Sequence, residues 1–278
     1  MPAKTDKWKT VKPVVERKIK NGWSSSRYTV YDQCPAKAAY KFIDKLPEPP
    51  APALDRGSLI HKQAELFIKG RPTPVVDEDG PFVPPNREGI LPDGTPMHKA
   101  GVPPPQLARF ADMFNDAVVR AKRVAQAVTV EDTWAFTKDW VLCSSTDWDH
   151  CWLRVKVDYA YESKGDVLII KDWKTGRYDK AMHDDYLKTL QLYALGGLLK
   201  FPHIRKVHPG LVYLDAGLEY PNLSEELLEY TRADVPKLKK LWEERVKPMF
   251  ADRKFAPKPN AKCCWCAYSK AKGGPCRF

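Results

Sequence analysis

Residues 151 to 176 read CWLRVKVDYAYE, then SKGD, then VLIIKDWKTG, and they restrict the possible folds more tightly than any other part of the chain. In the first segment Leu153, Val155 and Val157 alternate with Arg154, Lys156 and Asp158, the period-two pattern of a half-buried strand. SKGD reads as a turn, and the branched apolar run after it predicts a second strand with Leu168, Ile170, Asp172 and Lys174 on one face. An antiparallel hairpin of this kind needs other layers to cover its apolar faces, and the sequence on either side supplies helices.

Before the hairpin, Ser24 to Ser26 followed by RYTVYDQCPAKAAYKFI predicts a capped helix that the proline-rich LPEPPAPAL ends. DRGSLIHKQAELFIKG predicts a second helix and residues 106 to 127 a third, separated by residues 71 to 105. That segment holds ten of the 25 prolines without a clear period, so it reads as a long loop or insertion. VTVEDTWAFTKDWVLC reads as the first strand of the β region. After the hairpin come a helix at HDDYLKTLQLYALGGLLK, a strand at VHPGLVYLDAG, and a charged amphipathic helix at SEELLEYTRADVPKLKKLWEERV with an internal proline.

The formal net charge of +11 favours a polyanionic partner, most commonly nucleic acid. The segment MPAKTDKWKTVKPVVERKIK lacks the apolar centre of a signal peptide, and no stretch reaches the length of a membrane span, so the chain reads as cytoplasmic, without a membrane. In that compartment seven cysteines are not a disulfide framework. Cys143 and Cys151 flank a turn and read as small hydrophobes, whereas Cys263, Cys264, Cys266 and Cys276 crowd the last sixteen residues.

Asp172 and Lys174 form an acid-x-Lys pair, a spacing that Glu16 and Lys18, Glu162 and Lys164, and Asp252 and Lys254 repeat. Most such pairs are solvated surface charge. Only Asp172 and Lys174 follow a branched apolar run and come one hairpin after another strand carboxylate, Asp158. Two carboxylates aimed at one spot repel unless a cation lies between them, and hard oxygen ligands suit magnesium or manganese. With a lysine beside the ion, the set supplies what phosphodiester hydrolysis requires.

These strands resemble the central hairpin of the PD-(D/E)xK nuclease superfamily, in particular its RecB-like exonuclease branch. RGSLIH resembles that branch's glycine-then-histidine helix, TLQLYAL its glutamine and tyrosine helix, and SRYTVYDQCPAKAAYKF its N-terminal Cys-Pro helix. The resemblance runs from about residue 24 to the end, without the proline-rich insertion. It implies an α/β restriction-endonuclease-like core, a central mixed β-sheet flanked by helices. A basic tail over 1–23 would precede a single domain over 24–278, with its N- and C-terminal segments joined by a cysteine metal site.

Carried over by position, His61 and Asp158 become metal ligands, Asp172 the bridging carboxylate and Lys174 the residue that orients the attacking water. The backbone carbonyl of Trp173 becomes a further ligand. Glu131 and Glu65 could each help hold a second ion, though Glu65 reads more simply as a surface helix charge. Tyr193 keeps its family position, but Thr189 stands where the family has glutamine, leaving Gln191 two residues away. Lys156 stands where relatives often carry glycine, and either reaches a phosphate or points to solvent.

The same resemblance makes Cys34, Cys263, Cys266 and Cys276 the holders of a [4Fe–4S] cluster. Zinc is the rival, since thiolates alone do not choose between them, and Cys264 could replace Cys263. Trp23, Tyr28, Trp265, Tyr268 and Phe278 lie among lysines and arginines, as base-stacking residues do. The expectation is a metal-dependent exonuclease acting on linear DNA, single- or double-stranded, in recombination, repair or phage DNA metabolism, with a recombination or single-strand-binding protein as a possible partner. An endonuclease, a CRISPR-adaptation trimming nuclease and a DNA-binding module with a vestigial site are the alternatives.

Overall fold

The computed structural model describes residues 17–19, 22–49, 51–76, 97–123, 128–222 and 226–278. In chain order these form α1 (Ser25–Gln33), α2 (Pro35–Ala38), a π-helical turn (Ala39–Ile43), α3 (Pro52–Ile68), β1 (Thr73–Pro74), β2 (Met97–His98), a 3-10 turn (Pro105–Phe110) and α4 (Ala111–Arg123). There follow β3 (Val128–Phe136), β4 (Leu142–Cys143), β5 (Leu153–Ser163), β6 (Val167–Lys174), α5 (Lys180–Lys200), β7 (Lys206–Tyr213), β8 (Leu218–Tyr220), β9 (Tyr230–Thr231) and α6 (Val235–Ala251). The architecture is mixed α/β with a central mixed sheet flanked by helices. Among the described residues no helix is long and apolar enough to cross a membrane.

Two compact units share these elements, and each is assembled from separated stretches of chain. One comprises Ala51–Trp134 and Val155–Val235, the other Met1–Pro50, Ala135–Arg154 and Pro236–Phe278.

In the first unit β5 and β6 form the antiparallel hairpin, with Ser163 opposite Val167 and Tyr159 opposite Lys171. β6 then runs parallel to β7, so the chain must cross over the sheet between them, and α5 makes that crossing. β8 and β9 share the outer edge of β7. Alternation puts Leu168 and Ile170 under α5, where a Cβ on Gly197 would lie 2.7 Å from Leu168 Cδ2; glycine permits that close approach. Trp173 points the other way, into a core with Tyr159, Val212, Ile60, Ala64 and Phe67 of α3, and Phe114 and Ala117 of α4. Each large side chain so buried contributes about 1.5–3 kcal/mol.

The second unit gathers aromatic rings. Trp23 lies with its centroid 5.4 Å from both Trp152 and Trp242, and Trp140 lies 5.2 Å from Trp152. The end of β3 pairs with β4, Ala135 opposite Cys143.

Four sequence expectations need correction. The helix expected from Ser24 to Ile43 breaks at Cys34, whose φ of −162° and ψ of 109° are extended, because a residue before proline is pushed out of the α region. The helix expected over 106–127 starts as a 3-10 turn and is α-helical only over Ala111–Arg123, and 124–127 lie outside the described residues. VTVEDTWAFTKDWVLC is two strands, not one. The charged helix expected from 224 starts only at Val235. Tyr230 and Thr231 are drawn into the sheet beside β7, and Thr231 with Asp234 caps the turn that precedes Pro236. Most of the 71–105 segment, residues 77–96, lies outside the described residues, and β1 pairs with β2 at its mouth.

Candidate active site

The β5–β6 ladder ends at Tyr159 and Lys171, and its next pair would set Asp158 opposite Asp172. There the backbone pairing gives way, and the Trp173 N–H donates instead to Asp158 Oδ2 at 2.8 Å. Both carboxylates are buried at this opened end, 5% and 2% exposed. Burial of unpaired charge is costly, so their partners determine whether the arrangement is stable.

Each has partners. The Lys174 ammonium pairs with Asp172 Oδ2, and the Tyr193 hydroxyl donates to Asp172 Oδ1 at 3.0 Å. His61 Nδ1 lies 3.4 Å from Asp158 Oδ1 and 2.8 Å from Glu131 Oε1, while Lys156 Nζ lies 2.7 Å from Glu131 Oε2. Two more contacts extend the group: the Tyr186 ring lies 4.2 Å from Lys174 Nζ, and Arg56 holds Asp215 through two bonds of 2.7 and 3.0 Å.

Glu131 carries a φ of +50°, in the left-handed region that β-strand residues other than glycine avoid. Such strain costs on the order of 1 kcal/mol and persists where surrounding contacts enforce it. Here the enforcing contacts are those of its carboxylate with His61 and Lys156.

The electrostatics follow from burial and crowding. Burial and the neighbouring Asp158 push the Asp172 carboxyl up to about 6, against the pull of Lys174. Burial pushes Asp158 the same way, but His61, Lys174 and the Trp173 N–H hold it below the usual range. Burial would depress the His61 imidazolium, yet Asp158 and Glu131 raise it to about 10. Lys174 is likewise raised, by Asp172 and Asp158, in spite of burial. Three carboxylates thus share one spot, and protein cations neutralise them.

The donor set fits a divalent cation. Ligand atoms of His61, Glu131 and Asp158 lie within 4.8 Å of one another, and together they could hold a metal ion.

Of the residues marked in the sequence, His61, Asp158, Asp172, Lys174 and Tyr193 meet in this one place. Trp173 touches it through its N–H, with its indole in the core. Gln191 stands two residues from Tyr193, about 200° around α5 and on a different face. Thr189, one turn before Tyr193, is buried. Glu65 turns to Lys62 and Lys69, at 2.7 and 2.6 Å. Tyr186 escaped the sequence reading, although its position seven residues before Tyr193 places it two turns away on the same helix face.

In the other unit Cys34, Cys263, Cys266 and Cys276 line one pocket with Tyr40 and Tyr268. Cys34 Sγ accepts the Lys258 N–H at 3.5 Å and Cys263 Sγ the Asn260 N–H at 3.4 Å. Cys264 is exposed and bonds the Ala261 carbonyl instead. Three of the five aromatic residues offered for base stacking, Trp23, Tyr28 and Tyr268, are buried and cannot serve, whereas Trp265 and Phe278 are exposed.

No curated protein matches the chain. Among solved structures, SSO0001 aligns at 13% identity and a TM-score of 0.34 over 91% of this chain and 86% of its own. A proposed exonuclease from Eubacterium rectale aligns at 13% identity and a TM-score of 0.41 over 88% and 86%. Neither likeness is close enough to carry an argument. The family model described as PD-(D/E)XK nuclease superfamily matches residues 22–271, the span that contains every residue of the carboxylate site, and the chain belongs to that nuclease superfamily.

Proposed function

We propose that the chain is a metal-dependent DNA exonuclease of the RecB-like branch, hydrolysing phosphodiester bonds by in-line attack of water. One observation carries the reading: the ligand atoms of His61, Glu131 and Asp158 lie within 4.8 Å of one another, beside an Asp172–Lys174 pair. A magnesium or manganese ion held by His61, Glu131 and Asp158, with Asp172 as a further ligand, would supply Lewis-acid activation of the phosphoryl oxygen. Lys174 orients the attacking water and offsets the negative charge that develops on the phosphate. Tyr193 fixes the orientation of Asp172 by donating to Oδ1. Lys156, whose side chain is 65% exposed, can meet a substrate phosphate from its place on Glu131.

End-labelled linear DNA and closed circular DNA, incubated with magnesium, manganese or chelator, test this reading. Metal-dependent loss of the linear substrate alone is expected, in keeping with a role in recombination, repair or phage DNA metabolism. Cutting of circles would make the enzyme an endonuclease. Binding without hydrolysis would leave only a DNA-binding module. Binding itself should weaken steeply with salt, since phosphate contacts by a chain of charge +11 supply most of the affinity.

A second reading concerns the cysteines, for which we propose a [4Fe–4S] cluster. Tetrahedral zinc with Zn–S bonds of about 2.3 Å brings its sulfurs to about 3.8 Å from each other. The four cysteines line one pocket, which brings together the ligands that either zinc or a cluster needs. The four irons of such a cluster each take one cysteine, and backbone N–H donors to sulfur, as Lys258 and Asn260 supply to Cys34 and Cys263, tune it. Protein purified without oxygen should be brown, with broad absorption near about 400 nm. Colourless protein with one zinc would favour the rival.

A further inference from the structure

Immediately past Lys174 the chain runs Thr175, Gly176, Arg177, Tyr178, Asp179 before α5 begins. Tyr178 is 45% exposed, although an aromatic ring of this size gains most by burial. Its inner edge is held: the Tyr213 ring meets it edge-on at 5.2 Å, and the His183 ring lies at 5.5 Å. His183 Nδ1 in turn lies 2.7 Å from the Tyr213 hydroxyl, which fixes both supports. Tyr213 is the residue of β7 paired with Lys174 on β6, so the exposed ring sits one residue pair from the catalytic lysine.

The segment is anchored on both sides of this ring. The Gly176 N–H donates to Asp215, which Arg56 grips with two bonds, and the φ of +89° at Gly176 requires glycine there. Asp179 Oδ1 accepts the Met182 N–H and caps the start of α5. Arg177 and Lys180, both exposed, flank Tyr178 along the chain and bring positive charge to this segment. A solvent-facing aromatic on a pinned loop, between cations and beside a phosphodiester-cleaving lysine, matches what binds unpaired nucleic acid: a π-face for one base and cations for its phosphates.

We propose that Tyr178 is the stacking platform for the base flanking the scissile phosphate, and that it makes the enzyme prefer an unpaired DNA strand to a duplex. Bases in a duplex are already stacked and cannot offer the ring a free face. The proposal rests on the nuclease reading above for the identity of the strand.

Binding in chelator, where no hydrolysis occurs, tests the platform. A single-stranded oligonucleotide with 2-aminopurine at its terminal nucleotide should be quenched on binding the wild type. The quench should persist in Tyr178→Phe and vanish in Tyr178→Leu, which keeps apolar bulk against Tyr213 but has no π-face. In the hydrolysis assay Tyr178→Leu should raise KM on single-stranded DNA about tenfold, the scale of one stacked base, with kcat little changed and blunt duplex unaffected. Quenching and KM in Tyr178→Leu equal to wild type would overturn the proposal, as would equal losses on single strand and duplex. Absence of any hydrolysis by wild type would sink the nuclease reading while the quench still decided the platform.

Discussion

The two units build their sites from different materials. In the first, Asp158 and Asp172 come from one hairpin and Glu131 from β3, His61 and Tyr193 reach them from α3 and α5, and protein cations already neutralise them: Lys174 on Asp172, His61 and Lys156 on Glu131. Its sheet core is large and reaches the site through Trp173, whose indole packs inside while its N–H holds Asp158. In the second, Cys34 must meet Cys263, Cys266 and Cys276 from the opposite end of the sequence, over a small apolar group of Ala36, Tyr40, Leu46 and Tyr268. Among the described residues, Lys37 and Lys262 are the cations that line that pocket. A site that is neutralised in advance can lose its ion and stay folded, whereas one that closes a chain-long loop draws folding energy from what it binds.

The sharpest way to break this contrast is at Asp172 and Lys174. Asp172→Ala or Lys174→Ala should lower hydrolysis by at least about a thousandfold, as expected when a group that meets the transition-state charge is removed. DNA binding and the brown colour should survive, as read by filter retention and absorbance. Loss of colour in Asp172→Ala would show that the two sites are not separate.

Next in size is the cysteine site. Cys276→Ser should cost roughly 3 kcal/mol, the scale for opening a long closed loop, and bleach the protein. Cys264→Ser should do neither, since its sulfur faces away from the pocket. Thermal unfolding followed by circular dichroism separates them; equal melting of both variants would mean that the cysteine pocket contributes nothing to folding stability.

How much of this was legible depended on whether a local rule determines the residue's direction. Period-two alternation alone sets Asp172 and Lys174 on the face of Leu168 and Ile170, and β6 obeys it. Glu131 could be named only as a helper, because nothing in VTVEDTW announces a left-handed φ in mid-strand that turns a side chain toward a helix 70 residues earlier. The helix expected from 224 failed for a related reason. Its charge pattern continues across Tyr230 and Thr231, but edge pairing with β7 outweighs helix propensity there, and only tertiary contact reveals that. Chain order also gave no sign that Ala135–Arg154 leaves the carboxylate unit for the other one.

A smaller effect is expected where the carboxylate unit holds its own groups in place. Tyr193→Phe removes the donor to Asp172 Oδ1, leaving a buried carboxylate oxygen short of one partner. The expected cost is about 1–2 kcal/mol in stability and about tenfold in kcat, with manganese or magnesium affinity little altered. A variant as stable and as active as wild type would mean that Lys174 alone positions Asp172.

The smallest effect lies at the rim of the same unit, where Arg56 and the Gly176 N–H hold the Asp215 carboxyl below its ordinary value of 3.8 although burial pushes it up. A carboxyl depressed in the folded state stabilises the protein above its unfolded value, and that contribution disappears as pH falls through the lower folded value. Arg56→Gln should therefore cost at most about 1 kcal/mol at pH 7, as partly exposed pairs do. The difference from wild type should shrink below about pH 4, where Asp215 of the unfolded chain takes up its proton. Urea unfolding at neutral and acid pH reads this directly. A gap between the two proteins that stays constant into acid would mean that Arg56 acts through packing of the Gly176 loop rather than through charge.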